Sequence, residues 1–197
     1  MISQIQTPCK AMLFKPKLAG RVRSIFLLML ALTLMAPGLV APVLAQATSA
    51  SGLKLPRFVS TRSDPINVRV GPGTKYDIAW NFVVSGVPVE IIQEFDTLRK
   101  IRDIEGAEGW VHQSLLIGTR AGYATPLMAN GEVHILANRA DDAAVRARLG
   151  AGFKVTISSC DGDWCNVSAS QQGQRNSYSG YVRQEELWGV YPDEVFE

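Results

Sequence analysis

From residue 57 onward, apolar and polar side chains alternate with a period of two over short stretches, and turn-forming residues interrupt them roughly every 8–12 positions. Residues 66–70 (Ile-Asn-Val-Arg-Val) read as one strand. The following Gly71-Pro72-Gly73-Thr74 fits a type II turn, with Pro72 fixing φ and Gly73 supplying the positive φ needed at the third position. In residues 87–95, Val87, Val89 and Ile91 share one face, and Pro88, Glu90 and Ile92 share the other. The alternation continues through residues 98–102, and Gly109-Trp110-Val111 opens a further strand. Short strands punctuated this way predict an all-β sandwich or small barrel.

The pattern then recurs. Shifting the chain by 66 residues aligns residues 86–101 with 152–167 without a gap, pairing Val87 with Phe153, Val89 with Val155, Ile91 with Ile157, Leu98 with Trp164 and Ile101 with Val167 as inward positions. After five extra residues in the second copy, Gly109-Trp-Val-His-Gln113 matches Gly180-Tyr-Val-Arg-Gln184, and Leu116 falls on Leu187. An internal repeat of this kind predicts two related modules. We place them at residues 57–119 and 120–197. The second lacks a counterpart of Gly71-Pro72-Gly73; residues 141–149 read there as a short helical turn.

The N-terminus belongs to a different kind of sequence. Lys10, Lys15, Lys17, Arg21 and Arg23 precede an apolar run over residues 25–36, followed by Pro37-Gly38 and small residues around Ala45 and Ala47. Basic, apolar and small-residue regions in that order predict a secretory signal over residues 1–45, cleaved near Ala45 or Ala47. A retained anchor would need about 20 apolar residues, which this run reaches only by crossing Pro37, Gly38 and Pro42. Cys9 precedes the run, so no lipid anchor is expected at the cleavage site. Residues 46–56 read as a flexible leader. The signal holds five of the 20 basic residues and none of the 18 acidic ones, leaving residues 46–197 with a net charge of −3. With no basic stripe remaining, nucleic acid is not an expected partner, nor is the membrane once the signal is removed.

Asn67-Val68-Arg69 with Gly71-Pro72, then a strand hairpin, then Gly109-Trp110-Val111, resembles bacterial Src homology 3 (SH3) domains; in the second copy the resemblance rests on Asp163-Trp164 and Gly180-Tyr181-Val182. It covers nearly all of residues 46–197. It implies two tandem small, strongly bent barrels of five or six strands, of a kind found in exported cell-envelope proteins. It also implies cell-wall or protein targeting, often beside a catalytic domain, for which the two modules leave no residues over.

Cys160 and Cys165 flank Asp161-Gly162-Asp163-Trp164, where a glycine at the first central position favours a two-residue type II′ hairpin turn. That register sets the cysteines opposite each other at a Cα separation of roughly 4.5 Å, short but compatible with a disulfide in an oxidising compartment. The first copy has Glu94 and Arg99 at these positions, so each hairpin is stapled, one covalently and one by charge. No CxxC spacing suggests redox or metal chemistry, and no metal or cofactor is expected. The only histidines are His112 and His134. A Cys–His hydrolase would require one of them beside a free thiol, whereas His112 and the cysteines belong to different copies.

Aromatic residues offer the better lead. Trp110 and Trp164 suit the cores, while Tyr76 and Trp80 lie near the loop following Gly71, where related modules bind extended peptides. Arg69 either anchors a ligand carboxylate or serves structure, capping carbonyls or pairing with Asp77. The ligand-binding candidates are therefore Arg69, Tyr76, Trp80, Trp110 and His112. The acidic residues 193–197 read as a solvated tail. The expected function is a non-catalytic, periplasmic or secreted binding module for peptidoglycan or a periplasmic protein. A small Cys/His cell-wall hydrolase and a structural accessory of an envelope complex are the alternatives.

Overall fold

The computed structural model describes residues 49–170 and 176–197; the expected export signal lies outside them. Nearly every alternating stretch forms an antiparallel strand. The first module contains β1 (Arg57–Thr61), β2 (Ile66–Arg69), β3 (Ile78–Phe82), β4 (Pro88–Phe95), β5 (Leu98–Arg102), β6 (Glu108–His112) and β7 (Leu116–Ile117). The second contains β8 (Arg120–Ala124), β9 (Val133–Leu136), β10 (Val145–Leu149), β11 (Lys154–Asp161), β12 (Trp164–Ser170), β13 (Ser177–Arg183), β14 (Leu187–Trp188) and β15 (Val195–Phe196). The strand orders correspond one for one: β3-β2-β6-β5-β4-β1-β7 and β10-β9-β13-β12-β11-β8-β14, with β15 added beside β11. The protein is therefore all-β, built from two tandem small barrels. Without the two-residue strands β7, β14 and β15, each module has the six strands implied by the resemblance.

The cores are equivalent residue by residue. Ile66, Val68, Val89, Ile91, Ile101, Val111 and Leu116 fill the first; Val133, Ile135, Val155, Ile157, Val167, Val182 and Leu187 fill the second. Burying each such side chain stabilises by about 1.5–3 kcal/mol relative to leaving it exposed. Gly109 and Gly180 are required where β6 and β13 cross β2 and β9. A Cβ on Gly180 would collide with Leu136 O and sit 2.7 Å from Ile135 Cγ2, and one on Gly109 would strike Val68 Cγ1. Gly180→Ala is expected to cost about 1–3 kcal/mol through overpacking. Gly118→Ala, in open space, should shift a denaturant midpoint hardly at all; equal midpoints for the two variants would refute the crossing argument.

A β-bulge at the same place in each hairpin corrects one face assignment. The register slips between Ile91 and Gln93 and between Ile157 and Ser159. The extra residue lies on β4 and on β11, where it turns Glu94 and Cys160 inward. On the regular partner strands Leu98 and Trp164, expected inward, lie three residues from Ile101 and Val167 and so face away from the core clusters, although Trp164 is still only 8% exposed. Cys160 and Cys165 are paired in register, joined by a disulfide with Cα atoms 4.1 Å apart, and buried in the second core. Glu94 and Arg99 occupy the equivalent pair, with side chains only 1% and 6% exposed and Arg99 Nε 3.2 Å from Glu94 Oε1.

Three other expectations change. Residues 141–149 are not a helical turn: they are a tight loop leading into β10, which pairs with β9. Pairing with a neighbour overrides the helical propensity of the Ala and Arg residues there. At Gly71-Pro72-Gly73, Gly73 has the positive φ expected, but its N–H donates to Gly71 O two residues back at 3.0 Å, and the Tyr76 ring lies over Gly71. The turn is therefore tighter than type II. Residues 193–197 are not a solvated tail. Arg120 occupies the position of Arg57, but Cys160 offers it no carboxylate, so Glu194 supplies one at 2.8 Å and Phe196 lies under the guanidinium. The leader is also tied down, since Ser51 N and Oγ both donate to Glu94 at 2.8 Å.

The barrels meet through large side chains. Phe58 on β1 packs edge-on against Trp188 at 5.1 Å and against Tyr191 at 4.8 Å. Tyr123 on β8 stacks with Trp188 and leans on the first core. Tyr191 Oη donates to Glu90 Oε1 at 2.8 Å, and Lys154 Nζ donates to Ser85 O at 2.6 Å.

Candidate ligand-binding groove

The five residues singled out from the sequence do not form one site. Trp80 pairs with Val68 across β2–β3 and packs against the first core, edge-on to Phe82. Its Nε1 is buried without a hydrogen-bond partner among the described residues. Arg69 donates to Tyr76 O at 2.6 Å, the backbone-capping use. Tyr76 covers Gly71, with Lys75 Nζ 5.3 Å from its ring centre. Trp110 is half-buried rather than part of the core, because it faces outward between Arg69 and Lys100. His112 is exposed; its Nδ1 caps a short 3-10 turn (Gln113–Leu115), accepting from Ser114 N and lying 2.7 Å from Ser114 Oγ. Arg69, Trp110 and His112 thus share the outer face of β2, β6 and β5.

The equivalent face of the second barrel holds a groove of 520 Å³. β9 and the loop entering β10 form one wall, and the 3-10 turn Gln184–Glu186 forms the other. Trp164, opposite in facing to Cys165 and Val167 on the regular strand β12, lies beneath the groove, 8% exposed. Arg183, at the end of β13, lies 4.1 Å over the Trp164 ring centre, and its Nε and Nη2 grip Asp141 in a bidentate pair at 2.9 and 2.6 Å. Cation–π stacking and a forked ion pair fix this guanidinium in place. Hydrogen bonding from Arg183 holds the Asp141 carboxyl below the usual range. Glu186 is pushed up by burial, reinforced by Glu185 and Asp141 and opposed by His134 and Arg183. Glu132, Asp141, Glu185 and Glu186 outnumber Arg183 and His134, so the groove has an acidic rim above the buried Trp164.

Sequence reasoning missed Arg183, Asp141 and Glu186. The signal was present in part: the repeat aligns Arg183 with His112, and carrying that candidate across would have found it. Asp141 carries no such marker, because its loop has no sequence counterpart in the first copy.

Two identical strand orders with the outer face rimmed by a loop and a 3-10 turn define the architecture, and a family model identifies it. The model described as bacterial SH3 domain matches residues 62–118 and 129–189. The chain belongs to this family. Each match lies within one of the two sheets, the first ending one residue past β7, and neither includes the leading strand, β1 or β8. No curated protein matches the chain. Among solved structures, it is similar to NlpC2 from Trichomonas vaginalis, at 16% identity and a TM-score of 0.30 over 68% of this chain and 48% of that one. It is also similar to NlpC1 from the same organism, at 18% identity and a TM-score of 0.28 over 77% and 51%. The chain spans about half the length of these two proteins. Among the described residues, no helix is long and apolar enough to cross a membrane.

Proposed function

We propose that this protein is an exported, non-catalytic module that binds the peptide portion of peptidoglycan through the groove of its second SH3 domain. The observation that carries the reading is the fixed Trp164–Arg183–Asp141 stack beneath an acidic rim. Trp164, buried beneath Arg183, holds that guanidinium rather than offering a ring face to a ligand. The rim carboxylates attract a free amine, and Arg183 faces a carboxylate. Wall peptides present amines and carboxylates together, beside sugars. The export signal read over residues 1–45 would bring the protein to that polymer. Binding rather than hydrolysis is supported by the cysteines, because Cys160 and Cys165 are buried and joined to each other, so neither is a thiolate nucleophile.

Co-sedimentation with purified sacculi tests this. The wild-type protein should pellet with the wall. Glu186→Gln and Asp141→Asn should each weaken binding by about tenfold, the loss expected for one charge-assisted contact. Free protein remaining in the supernatant would rule out the wall polymer and point to a protein partner. Two alkylatable thiols, with wall cleavage lost on their modification, would reinstate the Cys/His hydrolase.

A further inference from the structure

Where the two barrels meet, a second recess of 300 Å³ opens on a different side from the groove. Its walls come from both domains: β1 and the turn before β4 on one side, β11 and β12 on the other. The volume lies at the small end of the range for small-molecule sites, about 300–1,000 Å³. Domain junctions are a common place for such sites.

Its chemistry is one-sided. Seven of the thirteen residues lining it are Ser or Thr, and none is Asp or Glu. Two cations, Arg62 from the first domain and Lys154 from the second, face into the same space. Lys154 directs one N–H to Ser85 O at 2.6 Å, leaving two ammonium donors. Burial lowers its pKa, and nothing else shifts it; a bound anion would offset that loss of hydration. Ser60, in the wall, is 1% exposed, and its Oγ has no hydrogen-bond partner among the described residues. That oxygen is sealed from the recess as well as from solvent, so the hydroxyls a ligand could reach are those of Ser85, Thr119, Thr156, Ser168 and Ser170. Thr61 Oγ1, by contrast, is engaged, accepting from Val87 N at 2.9 Å. Hydroxyl-rich walls match a polyol, and two cations without a countercharge match an acid group on it.

We infer that the recess between the two SH3 domains is a binding site for a monosaccharide carrying one anionic group, held by Arg62 and Lys154 at the acid and by the Ser/Thr walls at the hydroxyls. Both SH3 domains contribute to it, so it exists only in the tandem. It is separate from the Trp164 groove and does not depend on what that groove binds.

Three probes test it by calorimetric titration of the protein: glucuronate, glucose 6-phosphate and glucose. At least one of the acid sugars should bind, and glucose should bind about tenfold more weakly or worse, the loss of a charge-assisted contact. Preference between the first two tells whether the natural acid is a carboxylate or a phosphate. Arg62→Ala, at an exposed side chain, should weaken the acid sugar by about tenfold. Lys154→Met should do the same. In amide NMR spectra the acid sugar should move Thr61, Ser85 and Thr156 rather than Trp164. The inference is overturned if neither acid binds, if glucose binds equally well, if Arg62→Ala leaves affinity unchanged, or if the shifts cluster at Trp164.

Discussion

Glu94→Ala is expected to lower the unfolding free energy by about 3–5 kcal/mol, the cost of breaking a buried pair by removing one partner. The Glu94 side chain is 1% exposed and receives Arg57 at 2.6 Å, Arg99 at 3.2 Å and both donors of Ser51. Without it, Arg57 can swing to solvent. Arg99 cannot, because it is 6% exposed and held by Asp96 O, Leu98 O and Gln113 Oε1. Its charge would remain in the barrel with no counterion. Small domains have only about 5–15 kcal/mol of stability, so the loss would dominate chemical denaturation of the first domain. A drop below about 1 kcal/mol would instead match an exposed pair and contradict the burial. The second domain suggests the rescue. Replacing both partners with cysteine, in the register Cys160 and Cys165 already occupy, should form a disulfide and restore the midpoint under oxidising conditions only.

The same carboxylate makes a pH prediction. Burial alone would raise the Glu94 pKa, but hydrogen bonds from Arg57 and Ser51 outweigh it, so the folded value lies below the ordinary 4.5. A depressed carboxylate contributes stability that is present above the unfolded pKa and is lost as pH falls through the folded one. Acid should therefore weaken the first domain below about pH 4.5, and the acid-dependent part of that loss should be missing in the Glu94→Ala variant.

Phe58→Ala should cost about 3–5 kcal/mol, as for other buried aromatic truncations, and should do so by uncoupling the domains. Phe58 is 7% exposed although it points away from its own core, because Trp188 and Tyr191 of the other domain enclose it. Removing the ring leaves the Tyr123–Trp188 stack against the first core, the Tyr191–Glu90 hydrogen bond and the Lys154–Ser85 contact to hold the junction. We expect one calorimetric transition in the wild type and two in the variant, the lower belonging to whichever domain is less stable alone. A single transition shifted by less than about 1 kcal/mol would show that Phe58 is not central to the junction.

The fold was largely legible because the hydrophobic alternation is strict where both faces of a strand have fixed environments. The 66-residue spacing holds across residues 86–101 because that segment is one hairpin, and even its bulge recurs. Before it the spacing is 67, from Ile66 to Val133 and Val68 to Ile135, and β1 to β8 is 63. Loops absorbed those differences and hid β10. What could not be read was anything set by contact between distant segments. The bulge turned Glu94 inward, and Glu194 found Arg120 across 74 residues. Asp141 met Arg183 through a loop whose sequence shows no pattern. His112 lies at the right position on the sheet but in the domain where the equivalent cation–aromatic stack is absent.

Only Gly118 and Thr119 separate β7 from β8, a tether no longer than β7 itself. With Phe58 and Tyr123 interlocked on both sides of it, the tandem behaves as a ruler rather than as two beads on a string. Flexibly tethered domains tolerate many spacings between the points they touch and gain a moderate effective concentration at each. A rigid pair accepts one spacing and rejects the others outright. For a polymer that repeats at regular intervals, such a ruler would discriminate by period, so lengthening the Gly118–Thr119 link would trade selectivity for reach.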